Sequence, residues 1–355
     1  SSLQGSAYLY ISKYSTAGDS IWSKKLGDEN PNSYSIEYQI DFDTIGNIYA
    51  SGYRSGGIIH KLNDTGNITD SIIVTVNNLR STIYNFFITS DNKLAILSTI
   101  LENNIGKWFL TLRNFSGENL WSTQIDGYLS APQLSEGKDN SIYEWHQRYE
   151  TQVGYFLTVN KYSFGGSKVW STEVLAQLDG TYNYRYNVFP SLAATKDNNI
   201  IIGYSAALNL FSSSSTAMIR KLDSQTGDSL WSFNLSLHTS KPCQLWSMSQ
   251  DSAGNIYSSN YISFGSASEA NTYSVVKLNS QGDLQRITLN NGYFEKPFLP
   301  NFIKVFQNND ILLYGYYDTF YEQAGIIRFS QPVNITLNEN SLPDKFSLKQ
   351  NYPNP

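Results

Sequence analysis

The chain has 355 residues with a formal net charge of −5, 15% charged residues against roughly 25% in an average globular domain, and 14% aromatic residues. No run of Lys or Arg exceeds two, which excludes an electrostatic nucleic-acid footprint, and no apolar stretch approaches the ~18 residues of a membrane-spanning helix. One cysteine, Cys243, excludes an internal disulfide, so packing alone has to hold the fold.

Ser1 opens with neither a basic nor an apolar segment, so any secretory leader is expected to have been removed already. From there on, a strand ending in a basic residue, a Gly-bearing turn and a second strand recur at 10–26, 58–74, 110–125, 158–174, 218–235 and 275–289. Their turn glycines, Gly18, Gly66, Gly117, Gly166, Gly227 and Gly282, are 48, 51, 49, 61 and 55 residues apart. A second hairpin with Asp/Asn/Gly turn chemistry lies between them, at 40–53, 87–99, 133–146, 192–205, 248–261 and 304–317. Four strands per repeat of about 50 residues predict an all-β fold of propeller blades over residues 1–330.

A four-stranded sheet apolar on both faces needs a neighbour on each side, and radial packing supplies them. Four residues after the turn glycine stand Trp22, Trp121, Trp170 and Trp231, with Asp70 and Arg286 in the other copies. We expect these indoles in the inter-blade core. With the Trp-bearing hairpins as strands C and D, the chain reads CD, five ABCD units, then A, B and a last C, which is 25 strands. Six blades fit best, closed by pairing of the N- and C-terminal segments; seven is the alternative.

Residues GDSIW (18–22), GENLW (117–121), GSKVW (166–170) and KLDSQTGDSLW (221–231) resemble PQQ-like bacterial propeller repeats. That resemblance implies either a quinoprotein dehydrogenase, with calcium beside the quinone and commonly a vicinal disulfide, or a non-catalytic scaffold. A single cysteine excludes that disulfide, and no cluster of acidic residues recurs at a channel-facing position, so no cofactor is expected. His60, His146 and His238 fall in different copies without zinc-binding spacing and are expected at loops or edges. Asp41-x-Asp43 with Gly46 begins like a calcium loop, but Gly52 stands where a bidentate Glu is needed, so a tight turn is expected.

The A–B and C–D turns are uniformly short, whereas long connections fall at 176–188, 205–215, 262–272, 290–301 and 317–325, on what a propeller would make one rim. Variable loops on a rigid scaffold are where binding concentrates. The candidate binding residues are Trp145, His146, Arg148 and Tyr149; Tyr182, Tyr184, Arg185 and Tyr186; and Tyr317 and Tyr321. Rings beside hydrogen-bonding groups suit carbohydrate or protein surfaces. The tyrosines of 182–186 read equally well as one face of an extra hairpin.

Asp followed by Ser or Thr and a small aliphatic residue resembles the O-glycosylation signal of Bacteroidota, and it occurs at Ser20, Thr44, Ser71, Ser229 and Ser252. Residues 331–341 read as a linker. After them LPDKFSLKQNYPNP (342–355) resembles the start of the sorting domain of type IX secretion cargo. That resemblance implies recognition by the secretion machinery and a secreted or cell-surface location. The expected function is a non-catalytic, exported propeller that meets proteins or glycans through its long-loop rim. The alternative is a secreted polysaccharide-active or oxidising enzyme with its site in the central channel.

Overall fold

The computed structural model describes residues 9–15, 19–26, 38–52, 57–125, 130–150, 154–175, 191–206, 216–239, 241, 243–262, 272–290, 298–306, 310–317 and 323–329. Gly18, the linker and the sorting-domain stub lie outside them, as does most of each long connection. The chain divides into two compact units, one built from the region up to Tyr128 together with Ser163–Ser167, the other from Leu129–Tyr162 and the region from Lys168 on.

In the first unit β1 (Leu9–Tyr14) pairs with β2 (Ser20–Leu26). Next comes an antiparallel sheet in the order β3 (Tyr38–Phe42), β4 (Ile48–Gly52), β5 (Ile58–Leu62), β6 (Ile68–Ile73). A small ribbon, β7 (Thr75–Val76) and β8 (Leu79–Arg80), precedes a second sheet of β9 (Thr82–Ile88), β10 (Leu94–Glu102), β11 (Ile105–Arg113) and β12 (Asn119–Ile125). The core between these two sheets holds Tyr49, Ile59, Ile72, Phe86, Leu94 and Ile96. Ile11 and Trp22 pack against Ile48, Ala50 and Leu62. The β7–β8 ribbon is an addition to the expected pattern. Its Asn77-Asn78 turn, with φ of 52° and 63°, needs two left-handed residues and is too short to show as a strand pattern.

The second unit contains three four-stranded antiparallel sheets, each in chain order. They are β13 (Ser130–Glu136), β14 (Ile142–Glu150), β15 (Gly154–Tyr162), β16 (Lys168–Leu175); β17 (Ser191–Ala194), β18 (Ile200–Ala206), β19 (Thr216–Leu222), β20 (Ser229–Asn234); and, after a short helix α1 (Leu235–Thr239), β21 (Cys243–Gln250), β22 (Ile256–Ile262), β23 (Thr272–Leu278), β24 (Leu284–Asn290). A three-stranded sheet of β25 (Phe298–Val305), β26 (Ile311–Tyr317) and β27 (Gln323–Phe329) ends it. Consecutive sheets share apolar cores. Tyr143, Trp145 and Leu157 meet Ile200, Ile202 and Tyr204, and Ile201 and Ile219 meet Leu245 and Ile256. Sheets with both faces covered this way are what the near-continuous apolar strands require.

Apart from the β7–β8 ribbon, the described strands are the two, five times four, and three read from the repeat. The turns form for a local reason. In Asp43–Asn47 the Asp43 amide donates to Asn47 O (3.1 Å) and the Gly46 amide to Asp43 O (3.0 Å), which forces Gly46 to φ 88°. The same closure recurs at Thr89–Lys93 and Thr195–Asn199, where Asn92 and Asn198 take the left-handed position. Asp43 itself is a turn residue, as expected. Its Oδ1 accepts from the amides of Ile45 and Asn47, and its Oδ2 from Asn47 Nδ2 at 2.7 Å. Asp251 repeats this arrangement with Ala253 and Asn255.

Candidate functional site

Tyr182, Tyr184, Arg185, Tyr186 and Tyr321 lie outside the described residues. Arg148 and Tyr149 are in β14 and Tyr317 is in β26, with side chains outside what is described. Trp145 and His146 correct the expectation of an exposed rim: they are 0% and 2% exposed. The reason is length, since β14 continues to Glu150 and keeps both residues inside a paired strand. Trp145 enters the core shared with Ile200 and Ile202. Strand alternation turns its neighbour His146 to the opposite face.

That opposite face carries a polar group the sequence reading missed. Nδ1 of His146 lies 2.6 Å from Oε1 of Glu144, and Nδ2 of Asn160 donates to Oε2 of Glu144 at 2.7 Å. The ladder pairs Glu144 with Asn160 and His146 with Thr158, so all four side chains share one face of β14–β15. Glu144, His146, Asn160 and Thr158 are 0%, 2%, 3% and 6% exposed. Both carboxylate oxygens have donors, whereas the buried Thr158 hydroxyl has no hydrogen-bond partner. A carboxylate can only accept, so it fixes a proton on Nδ1, and in the neutral form of the ring Nε2 is then the acceptor.

The ladder registers of the other sheets carry the signal. The pair Glu144/Asn160 corresponds to Ala50/His60, Ile96/Thr111, Ile202/Arg220, Ser258/Val276 and Leu313/Ile327. Glu144 is the one acid among them. At the next level, His146/Thr158 corresponds to Ser98/Phe109, Tyr204/Met218, Asn260/Ser274 and Gly315/Gly325.

A second set of polar groups is structural. Nζ of Lys161 contacts Oδ2 of Asp139 and the carbonyl of Ser224, each at 2.8 Å. Nζ of Lys221 contacts Oδ2 of Asp197 at 2.6 Å and the carbonyl of Ser280 at 3.3 Å. Burial works to raise the Asp197 carboxyl, but the hydrogen bonds and charge of Lys221, aided by Thr195 and Asn199, hold it at about 2. Burial likewise opposes the charge on Lys161, and the hydrogen bond and charge of Asp139 outweigh it, raising the ammonium above the usual lysine value.

The five hydroxyl residues of the glycosylation signal, Ser20, Thr44, Ser71, Ser229 and Ser252, are all exposed. Thr44 Oγ1 donates to Oδ1 of Asn92 (3.0 Å), and the Ser71 hydroxyl lies 2.9 Å from Nδ1 of His60. His60 is in strand β5, where burial lowers its basicity, and His238 is exposed on α1, stacked on Phe233. Among the described residues, no three His, Cys, Asp or Glu side chains converge as a metal-ligand set.

No family model matches the sequence, and no curated protein matches it. Among solved structures, an α-L-arabinofuranosidase from Fusarium graminearum in complex with an iminosugar inhibitor is 12% identical, over 82% of this chain and 92% of that one, with a TM-score of 0.50. A protein of unknown function from Bacteroides caccae is 14% identical, over 82% of this chain and 93% of that one, with a TM-score of 0.47. A member of the DUF4221 family from Bacteroides vulgatus is 13% identical, over 84% and 93%, with a TM-score of 0.47. At such identities the likeness concerns the fold alone, and that fold is β-propeller-like.

Proposed function

We propose that the protein is an exported, non-catalytic propeller of the cell surface or medium, which binds or assembles with proteins or glycans through its long connections. The observation that carries the export reading is the segment 342–355, LPDKFSLKQNYPNP, with its resemblance to the start of a type IX sorting domain. The blade count favoured is six, the ring being closed between the N-terminal strand pair and the last three strands. Two features support a scaffold with a variable binding rim. Most of the described short turns repeat one hydrogen-bond pattern, as in Asp43–Asn47 and Asn279–Asp283, while the long connections differ in length and sequence. Acids of the short turns, such as Asp43, Asp139, Asp197 and Asp251, are committed to amide and lysine partners that hold the scaffold. Glycans on the exposed Asp-Ser/Thr positions are part of the same reading.

The test is fractionation of a bacterium that carries the secretion system and expresses the full-length protein. The protein is expected at the surface or in the medium, and a variant lacking 342–355 is expected to be retained inside. Equal surface exposure of both would overturn the export reading. A glycan-array and hydrolysis screen tests the rest: turnover of a polysaccharide, abolished by a single carboxylate substitution, would replace the scaffold with an enzyme.

A further inference from the structure

We propose that the Glu144–His146–Thr158 face of β14–β15 is a binding site for a hydroxyl-bearing neutral ligand, a sugar or polyol, with His146 Nε2 and Thr158 Oγ1 as its contacts. In choosing saccharides this rests on the binding role proposed above; the site itself rests on a departure from the repeat.

Every sheet of a repeat fold meets the same packing demand, so each position should tolerate the same kind of side chain. At the level of Glu144 the other sheets place Ala50, Ile96, Ile202, Ser258 and Leu313. Burying a carboxylate there is costly unless it is paired and hydrogen-bonded, and Glu144 is both, through His146 and Asn160. The fold does not need a carboxylate here, since the residues that stand at the Glu144 position in the other sheets, Ala50, Ile96, Ile202, Ser258 and Leu313, are uncharged. A locally unfavourable choice that the architecture does not require marks function more often than structure.

The chemistry of the pair points to a hydroxyl. Glu144 orients the imidazole ring of His146 through Nδ1, so that the neutral ring carries its acceptor lone pair on Nε2. Directly across the ladder, Thr158 carries a hydroxyl that is 94% or more buried with its residue and has no partner among the described residues. An orphaned buried hydroxyl costs stability until something bonds it. An acceptor and a hydroxyl side by side match one hydroxyl that donates and accepts, or two neighbouring ones, whereas a carboxylate ligand would meet the acceptor nitrogen and the Glu144 charge unfavourably. The nearest counterpart, Asn260/Ser274, is also polar, and its Asn260 Oδ1 and Ser274 Oγ are likewise buried without a partner, so what sets the β14–β15 face apart is the ionisable pair of Glu144 and His146 beside the hydroxyl.

The experiment uses the whole chain and its three histidines, whose ring nitrogens can be followed individually by ¹⁵N-resolved NMR. The probes are glycerol and a panel of neutral and uronate-containing oligosaccharides. A neutral saccharide is expected to shift the His146 ring resonances and to leave His238 unmoved. Thr158→Val, which removes one hydroxyl at nearly constant shape, is expected to keep or raise Tm while weakening that binding about tenfold, the worth of one good hydrogen bond. His146→Gln should weaken it as well. The inference fails if no probe moves the His146 ring, or if a saccharide binds wild type and Thr158→Val equally. That last result would leave the long-loop binding role standing, and a failed export test would leave this site untouched. A Tm loss in Thr158→Val with unchanged binding would make the hydroxyl structural and overturn the proposal.

Discussion

Nε1 of Trp170 donates a hydrogen bond of 3.0 Å to the carbonyl oxygen of Ser224, in the turn between β19 and β20. Lys161, the ladder partner of Trp170, reaches the same oxygen at 2.8 Å. Gly227 of that turn, at φ 79°, presses against the indole so closely that an added Cβ would lie 2.9 Å from the ring. The arrangement recurs: Trp22 and Lys13 both reach Asp64 O, and Trp121 reaches Phe164 O beside Gly166. The turn glycine therefore has two tasks, a left-handed backbone and room for a ring.

Separating those tasks gives the first prediction. Gly254 has φ 87° but only ordinary contacts, with Ser280 Cβ 3.6 Å from an added methyl. Gly254→Ala should lose roughly 1–2 kcal/mol from backbone strain alone. Gly227→Ala should lose roughly 2–4 kcal/mol, because overpacking against Trp170 and Thr172 adds to the strain. Urea denaturation of both variants checks this. Equal losses would mean the ring yields freely.

The expectation for Trp121 is the inter-blade core, and the structure lays the indole over Gly166 of the β15–β16 turn, only partly buried and with Nε1 on Phe164 O at 2.8 Å. The ~3–5 kcal/mol typical of a fully buried Trp→Ala change is therefore too large. Trp121→Ala should lose about 2–3 kcal/mol, part of it from the carbonyl left unpaired. Trp121→Phe should recover the packing and not the hydrogen bond. Denaturant midpoints at matched slope report the difference.

Stability should fall at both ends of the pH scale. The Asp197 carboxyl, held at about 2, lies below its unfolded value near ~3.9, so its contribution is present above that value and lost as pH falls toward 2. Asp43, Asp91 and Asp139 are lowered as well and act in the same direction. Lys161 is raised, so its contribution is complete below the unfolded lysine value of ~10.4 and lost as pH climbs through the folded one. Melting temperatures from pH ~2 to ~11 should show both limbs. Asp197→Asn should make the acid limb shallower, though modestly, because the Asp197 side chain is 54% exposed and screened by solvent. Lys161→Met should flatten the alkaline limb.

Native protein recovered from its own host should carry glycans on at least two of Ser20, Thr44, Ser71, Ser229 and Ser252, all of them exposed. Intact-mass and peptide mass spectrometry should show sugar-sized additions that are lost in the corresponding Ser→Ala or Thr→Ala variants. Unmodified peptides covering Ser20, Ser71 and Ser229 would remove this expectation.

Turns and strand order were legible in the sequence because hairpin chemistry is local. A left-handed residue must stand where Gly66, Gly117, Gly166, Gly227 and Gly282 do, and each is found at positive φ. The hairpin spacing likewise indicated four-stranded sheets buried on both faces. Burial on both faces is also why the candidate site was not legible. Alternation in β14 separates Trp145 from His146 but cannot say whether either face meets solvent, and here neither residue does. Nor could it show that Asn160, sixteen residues on, would cap the carboxylate of Glu144, or that Phe115 would stack on Tyr49 at 4.8 Å in the copy that has Asp70 instead of Trp. Contacts within a turn follow from neighbouring residues; contacts across a ladder and between stacked sheets depend on register and on which surface covers which, and those were decided only when the chain folded.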